Sequence, residues 1–137
     1  MKKYKQTEIP NVTITDRKDL AKVIKDFYNK NLQGKSVINR DLGIIIHFTS
    51  AGKSELAYGR ALHAKKAAVI KCLAKLIEEA EYNNFGERKE TDKNNVVGYL
   101  NFKAKVKIDK IVENVRITVL LKKDGRAYYN HEINIKK

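Results

Sequence analysis

The last forty residues constrain the fold most. In "VGYLNFKAKVKI" Leu100, Phe102, Ala104, Val106 and Ile108 alternate with Tyr99, Asn101, Lys103, Lys105 and Lys107. A period of two is the signature of a strand with one face buried. "VRITVLL" follows after "DKIVEN", which reads as a loop, and "KKDGRAYYNHEINI" turns at Asp124-Gly125, a strong hairpin signal. In that final strand Tyr129, His131, Ile133 and Ile135 share one face, and Tyr128, Asn130, Glu132 and Asn134 the other. The pattern predicts a three-stranded antiparallel meander.

Upstream, residues 1–10 are polar and read as a flexible arm, and "NVTIT" reads as a short strand. Thr15 or Asp16 can then cap a helix. Apolar residues at 20, 23, 24, 27 and 28 mark that helix as amphipathic, and Gly34 stops it. "SVINRDLGIIIHFT" predicts two strands around a tight turn at 39–43, the second apolar enough to be covered on both faces. A short helical segment is expected over 53–58. From Ala61 to Glu81 the stripe Leu62, Val69, Leu73, Leu76 and Ala80, widened by Ile70 and Ile77, predicts one long helix. "NNFGERKETDKNN" reads as a polar loop. The order is β-α-β-β-α-β-β-β. The expectation is a single α+β domain over 1–137: an antiparallel sheet with two main helices packed on one face and the meander at its C-terminal end.

Twenty-nine Lys and Arg against sixteen Asp and Glu give a net charge of +13. A folded chain that repels itself this strongly is best matched by a polyanionic partner, nucleic acid first and an anionic membrane surface second. Most of the cations are lysine, which meets phosphates as a point charge rather than forking onto base edges. The N-terminus is basic but leads to no apolar run, so neither a signal peptide nor a membrane span is expected. The lone Cys72 allows no intrachain disulfide and fits a reducing compartment. It lies in an apolar helical pattern and reads as a small buried hydrophobe.

Gly52-Lys53-Ser54 after an apolar run invites comparison with a phosphate-binding loop. Such a loop needs a glycine five residues before Gly52, and that position is His47. The three histidines, His47, His63 and His131, lie far apart with no HxH, HExxH or CxxC spacing, so no metal site and no cofactor are expected. His47 reads as structural.

Two constellations remain. Lys103, Lys105 and Lys107 share a strand face with Tyr99. If the meander pairs in register, Arg116, Lys122 and Tyr128 join them. A basic face interleaved with tyrosines can hold phosphates while bases stack on the rings; an ordinary solvated sheet face has the same pattern. Histidines form the second set. Cleaving RNA through its own 2′-OH needs a base, an acid and a fixed cation, and no metal. Histidine suits the first two roles near neutral pH.

Taken together, "NLQGKSVINRDLGIIIHFTSAGK", "ALHAKKAAVIKCLAKLIEEAE" and "DGRAYYNHEINI" resemble a domain of large polyvalent proteins of phages and conjugative elements. That domain is predicted to belong to the barnase–EndoU–colicin–RelE-like superfamily of metal-independent ribonucleases. The shared elements are a helix ending in Leu-x-Gly-Lys, a Val-x-Asn strand, a Gly-Ile strand, a helix with an early histidine and a terminal Tyr-x-His. The resemblance implies His63 and His131 as the acid–base pair, Lys53 or Lys66 neutralising the phosphate, and Tyr129 orienting or donating. It implies RNA as partner, an immunity or phage protein as a possible second one, no membrane, and a cytoplasmic or phage-particle location. Its rivals are a non-catalytic nucleic-acid-binding module and a structural module of a phage or mobile element.

Overall fold

The computed structural model describes residues 7–9, 17–50, 52–53, 64–108, 110–129 and 133–136. Within them the order is β1 (Thr7–Ile9), α1 (Arg17–Asn31), β2 (Ser36–Asn39), β3 (Ile44–Phe48), α2 (Ala64–Ile70), α3 (Leu73–Glu79), β4 (Glu81–Glu87), β5 (Val96–Ile108), β6 (Ile111–Lys122), β7 (Ala127–Tyr129) and β8 (Ile133–Lys136). The strand expected over 11–15, the cap at Thr15 or Asp16 and the helical segment over 54–58 lie outside the described residues.

The α+β class and the meander of β5, β6 and β7 agree with the sequence reading, but the sheet is mixed, not antiparallel. Its path is β1-β5-β6-β7-β3-β2, with β4 also on β5 and β8 also on β6. β1 pairs parallel with β5, and β3 pairs parallel with β7. Alternation reports which face a residue occupies, not which strand lies beside it, so neither parallel pair is visible in the pattern. The expected arm is a strand at residues 7–9, registered Glu8 to Lys107.

Four further expectations are corrected. The long helix breaks at Lys71–Cys72. Ala67 to Ile70 are four consecutive buried residues, more than one helical face can cover. A tight turn, with the Val69 carbonyl accepting from the Cys72 N–H at 3.1 Å and from its thiol at 3.3 Å, re-aims Leu73, Leu76 and Ile77 into the core. Burial raises the Cys72 thiol to about 11, in keeping with an inert packing residue. The polar stretch after the helices is partly strand: β4 pairs with β5 around a bulge at Asn83, its polarity fitting a sparsely covered edge. Most of "DKIVEN" is strand and not loop: Ile111 to Asn114 open β6 and pair with β5. The last strand is divided into β7 and β8, whose registers on β6 differ by two residues.

One face of the sheet carries the core. Val106, Ala104, Phe102 and Leu100 on β5 and Val115, Ile117 and Val119 on β6 are buried with Leu20, Ile24, Tyr28 and Leu32 of α1 and with Ile70, Leu73, Leu76 and Ile77 of α2 and α3. Tyr28, Phe48 and Tyr129 form an aromatic chain through that core, with ring centroids 6.2 and 5.8 Å apart. The opposite face carries no described helix. β3 was expected to be covered on both sides, yet Ile45 is 50% exposed and faces Ile38, 55% exposed, on β2.

The β2–β3 turn is fastened to the α3–β4 junction by one buried side chain. The Asn39 amide donates to the carbonyls of Ile77 and Ala80 at 2.7 and 3.0 Å, and its oxygen accepts from the Leu42 N–H at 3.0 Å. Asp41 accepts from the Tyr82 N–H at 2.8 Å. Asn39→Ala is expected to cost about 2–4 kcal/mol, because buried partners are left unsatisfied. Arg40→Ala, which removes the exposed bridge to Glu78, is expected to cost less than about 1 kcal/mol. Urea unfolding of both variants checks the contrast.

Candidate nucleic-acid interface on the helix-free sheet face

Strand register fixes which side chains share the open face. Lys103 stands opposite Arg116, Lys105 opposite Asn114, Lys107 opposite Val112, and Asn101 opposite Thr118. Thr118 donates to Asn101 at 2.9 Å, and Asn101 in turn donates to Asn84 of β4 at 2.9 Å. Lys103 and Arg116 are exposed, Lys105 and Lys107 half-buried. Glu81 of β4 registers with Lys103 and offsets part of the charge at one edge.

Beyond Asn101 the face becomes aromatic. Tyr99 registers with Leu120, Leu120 with Tyr128, Tyr128 with His47, and His47 with Ser36. The His47 and Tyr128 ring centroids are 5.7 Å apart and tilted by 36°, and Lys122 Nζ sits 4.8 Å from the Tyr128 ring centroid. That contact puts Lys122 on this face, although β5 and β6 slip register between Val96 and Gly98 and so do not pair in strict register at this end.

Both tyrosines are tethered through their hydroxyls. Tyr128 donates to Asp124 at 2.7 Å, and Tyr99 to Asp92. Desolvation, then the bond to Asp92, pushes Tyr99 up to about 12; the bond to Asp124 raises Tyr128. The carboxylates move the other way: backbone donation from Lys89 and then Tyr99 lowers Asp92, and Tyr128 with the Arg126 N–H lowers Asp124. These loops therefore hold both rings in place on the sheet.

The residues implied as catalytic fall differently. His63 and His131 lie outside the described residues, and of Lys66 only its place on α2 is described. Tyr129 is 0% exposed, its ring against Phe48, so its side chain belongs to the core and not to the open face. Lys53 is half-buried and donates to Asn29 of α1 at 2.8 Å. Its turn is nevertheless pinned to the end of β7. Thr49 donates through its hydroxyl to the Tyr129 carbonyl at 3.2 Å and accepts from the Gly52 N–H at 3.4 Å, which caps a short helical turn. A Cβ on Gly52 would meet the Tyr129 carbonyl oxygen at 2.5 Å and the Tyr28 hydroxyl at 2.7 Å. That close packing accounts for a glycine at this position.

Sequence reasoning passed over His47. In Ile44-Ile45-Ile46-His47-Phe48, Ile46 and Phe48 are buried, so the remaining parity faces outward with Tyr128. A single histidine closing an apolar strand was the available signal. Among the described residues no three His, Cys, Asp or Glu gather as metal ligands would, and no described helix is long and apolar enough to cross a membrane.

The tethers set a pH window. Because Tyr99 titrates higher folded than unfolded, the stability it contributes is full below about pH 10 and is lost as pH rises towards about 12. The lowered aspartates contribute above the ordinary carboxylate range and lose that contribution as pH falls through their folded values. Tyrosinate absorbance on alkaline titration is expected to show one midpoint near 12 for Tyr99, and Asp124→Ala is expected to return Tyr128 toward its ordinary value.

No curated protein and no solved structure matches the chain. The model of large polyvalent protein-associated domain 3 matches residues 15–129, a span from the start of α1 to the end of β7 that takes in the whole aromatic row. On that match, the chain belongs to the large polyvalent protein-associated domain 3 family.

Proposed function

We propose that the domain binds the phosphate backbone of nucleic acid, RNA in the first place, across the helix-free face of its sheet. The observation that carries this reading is the register of β5 and β6, which gathers Lys103, Lys105, Lys107, Arg116 and Lys122 beside Tyr99 and Tyr128. The net charge of +13 supports it. Lysines on a strand ladder neutralise successive phosphates without reading sequence, so the expected specificity is for backbone and strandedness.

If these five cations meet five phosphates of a single strand, log K should fall with log salt at a slope of about −3.5. Replacing Lys103, Lys105 and Lys107 by Ala should flatten that slope by about 2. Anisotropy of a labelled RNA between 50 and 200 mM salt measures both. An unchanged slope in the triple variant would place the contacts elsewhere.

A second reading, metal-independent RNA cleavage, draws on one observation. The turn carrying Lys53 packs on the carbonyl of Tyr129, two residues before His131. In this reading His63 and His131 act as acid and base, and Lys53 or Lys66 neutralises the phosphate. Buried Tyr129 holds the strand end in position. RNA cut in the presence of EDTA by the wild type, and left whole by His63→Ala or His131→Ala, is the expected outcome. RNA left whole by the wild type would confine the domain to binding.

A further inference from the structure

We propose that Tyr99, Tyr128 and His47, with Ile45 and Ile38 beside them, form a platform for unpaired nucleobases, so that the ligand of this face is single-stranded. Leu120, which lies between the two tyrosines in register, is buried and underlies the platform without contacting the ligand. The inference rests on the backbone-binding reading above and adds which part of the ligand lies where.

The open face is divided chemically. On β5 and β6 it is cationic, from Lys107 to Arg116. Across β7, β3 and β2 it carries two rings, Tyr128 and His47, and two aliphatic side chains, Ile45 and Ile38, that are half or more exposed. Ile45 and Ile38 register directly opposite each other, in the row next to His47 and Ser36. Phosphates gain nothing from that second region. A duplex presents phosphate and sugar outward and keeps its base faces stacked inside, so on this surface it would use only the cationic half. A single strand has both chemistries on one chain, and its splayed bases stack on aromatic and apolar side chains. The ladder and the row join at Asn101 and Tyr99. One strand can thus lay its backbone over β5 and β6 and its bases over β7, β3 and β2. Lys122, over the Tyr128 ring, supplies a cation inside the base region, where the backbone must cross. This charge complementarity selects a nucleic acid over a second copy of the same +13 chain.

The test compares a labelled twelve-nucleotide oligouridylate with a twelve-base-pair RNA duplex on the full chain, by anisotropy across a salt series. The single strand is expected to bind at least about tenfold tighter. His47→Ala, and separately Ile38→Ser with Ile45→Ser, should each weaken the single strand about fivefold or more, leaving the duplex affinity and the salt slope unchanged. All three side chains face outward, and thermal unfolding verifies that the variants fold. Equal affinity for both ligands, with no effect of either variant, would overturn the platform and leave backbone binding standing. No binding of either ligand at 50 mM salt would overturn both. Self-association in sedimentation that the isoleucine variant abolishes, with RNA affinity unaltered, would assign the apolar region to a second copy and likewise overturn the platform.

Discussion

The parallel pairing of β3 with β7 is the constraint on which the rest depends. It joins a hairpin from the first third of the chain to the end of the meander, and it is held from the core side. Phe48 and Tyr129 pack against each other, and Thr49 bonds the Tyr129 carbonyl. Tyr28 reaches from α1 to donate to the Thr49 carbonyl at 2.5 Å. Burial pushes the Tyr28 hydroxyl above its ordinary value, which favours the protonated form that donates to Thr49. Because alternation on both strands is then fixed, burying Phe48 and Tyr129 obliges His47 and Tyr128 to share the other face. The same aromatic packing that closes the core therefore builds the outer row.

This coupling explains why chemistry-bearing residues from distant parts of the sequence meet on one side. The helices take the apolar parity of every long strand, leaving the polar parity to solvent. Where the second parity is lysine, as on β5, the outer face is cationic. Where it is isoleucine, as at Ile38 and Ile45, the outer face stays apolar and exposed. It is this exposed aliphatic pair that the proposed platform uses. Asp92 and Asp124 tether the flanking tyrosines from loops, so both rings are fixed on the sheet; for the binding proposed above, that lowers the entropic cost.

The meander, the amphipathic α1 and the β2–β3 hairpin are legible in the sequence because each rests on local periodicity or turn chemistry: Gly34, Gly43 and Gly125 all adopt positive φ. Membership of the cationic face is legible too, since Lys103, Lys105 and Lys107 alternate with core residues. What escapes is everything decided by pairing at long range. Nothing local in "TEI" announces a parallel partner 99 residues away. Nothing in the polar run after Glu81 shows that β5 has an edge to fill. The break at Cys72 arises from four buried positions in a row, a demand of packing more than of propensity. His47 was hidden for the same reason: its significance comes from Tyr128, eighty-one residues later.

The most direct test of the account is a map of backbone-amide shift changes as a short oligouridylate is titrated into the isotopically labelled chain. The account predicts that the perturbed amides cluster on β5, β6, β7 and β3 around Tyr99, Lys103, Arg116, Tyr128 and His47, while those of α1 and α3 stay still. Perturbations gathered instead along the exposed side of α1, with the sheet silent, would contradict it.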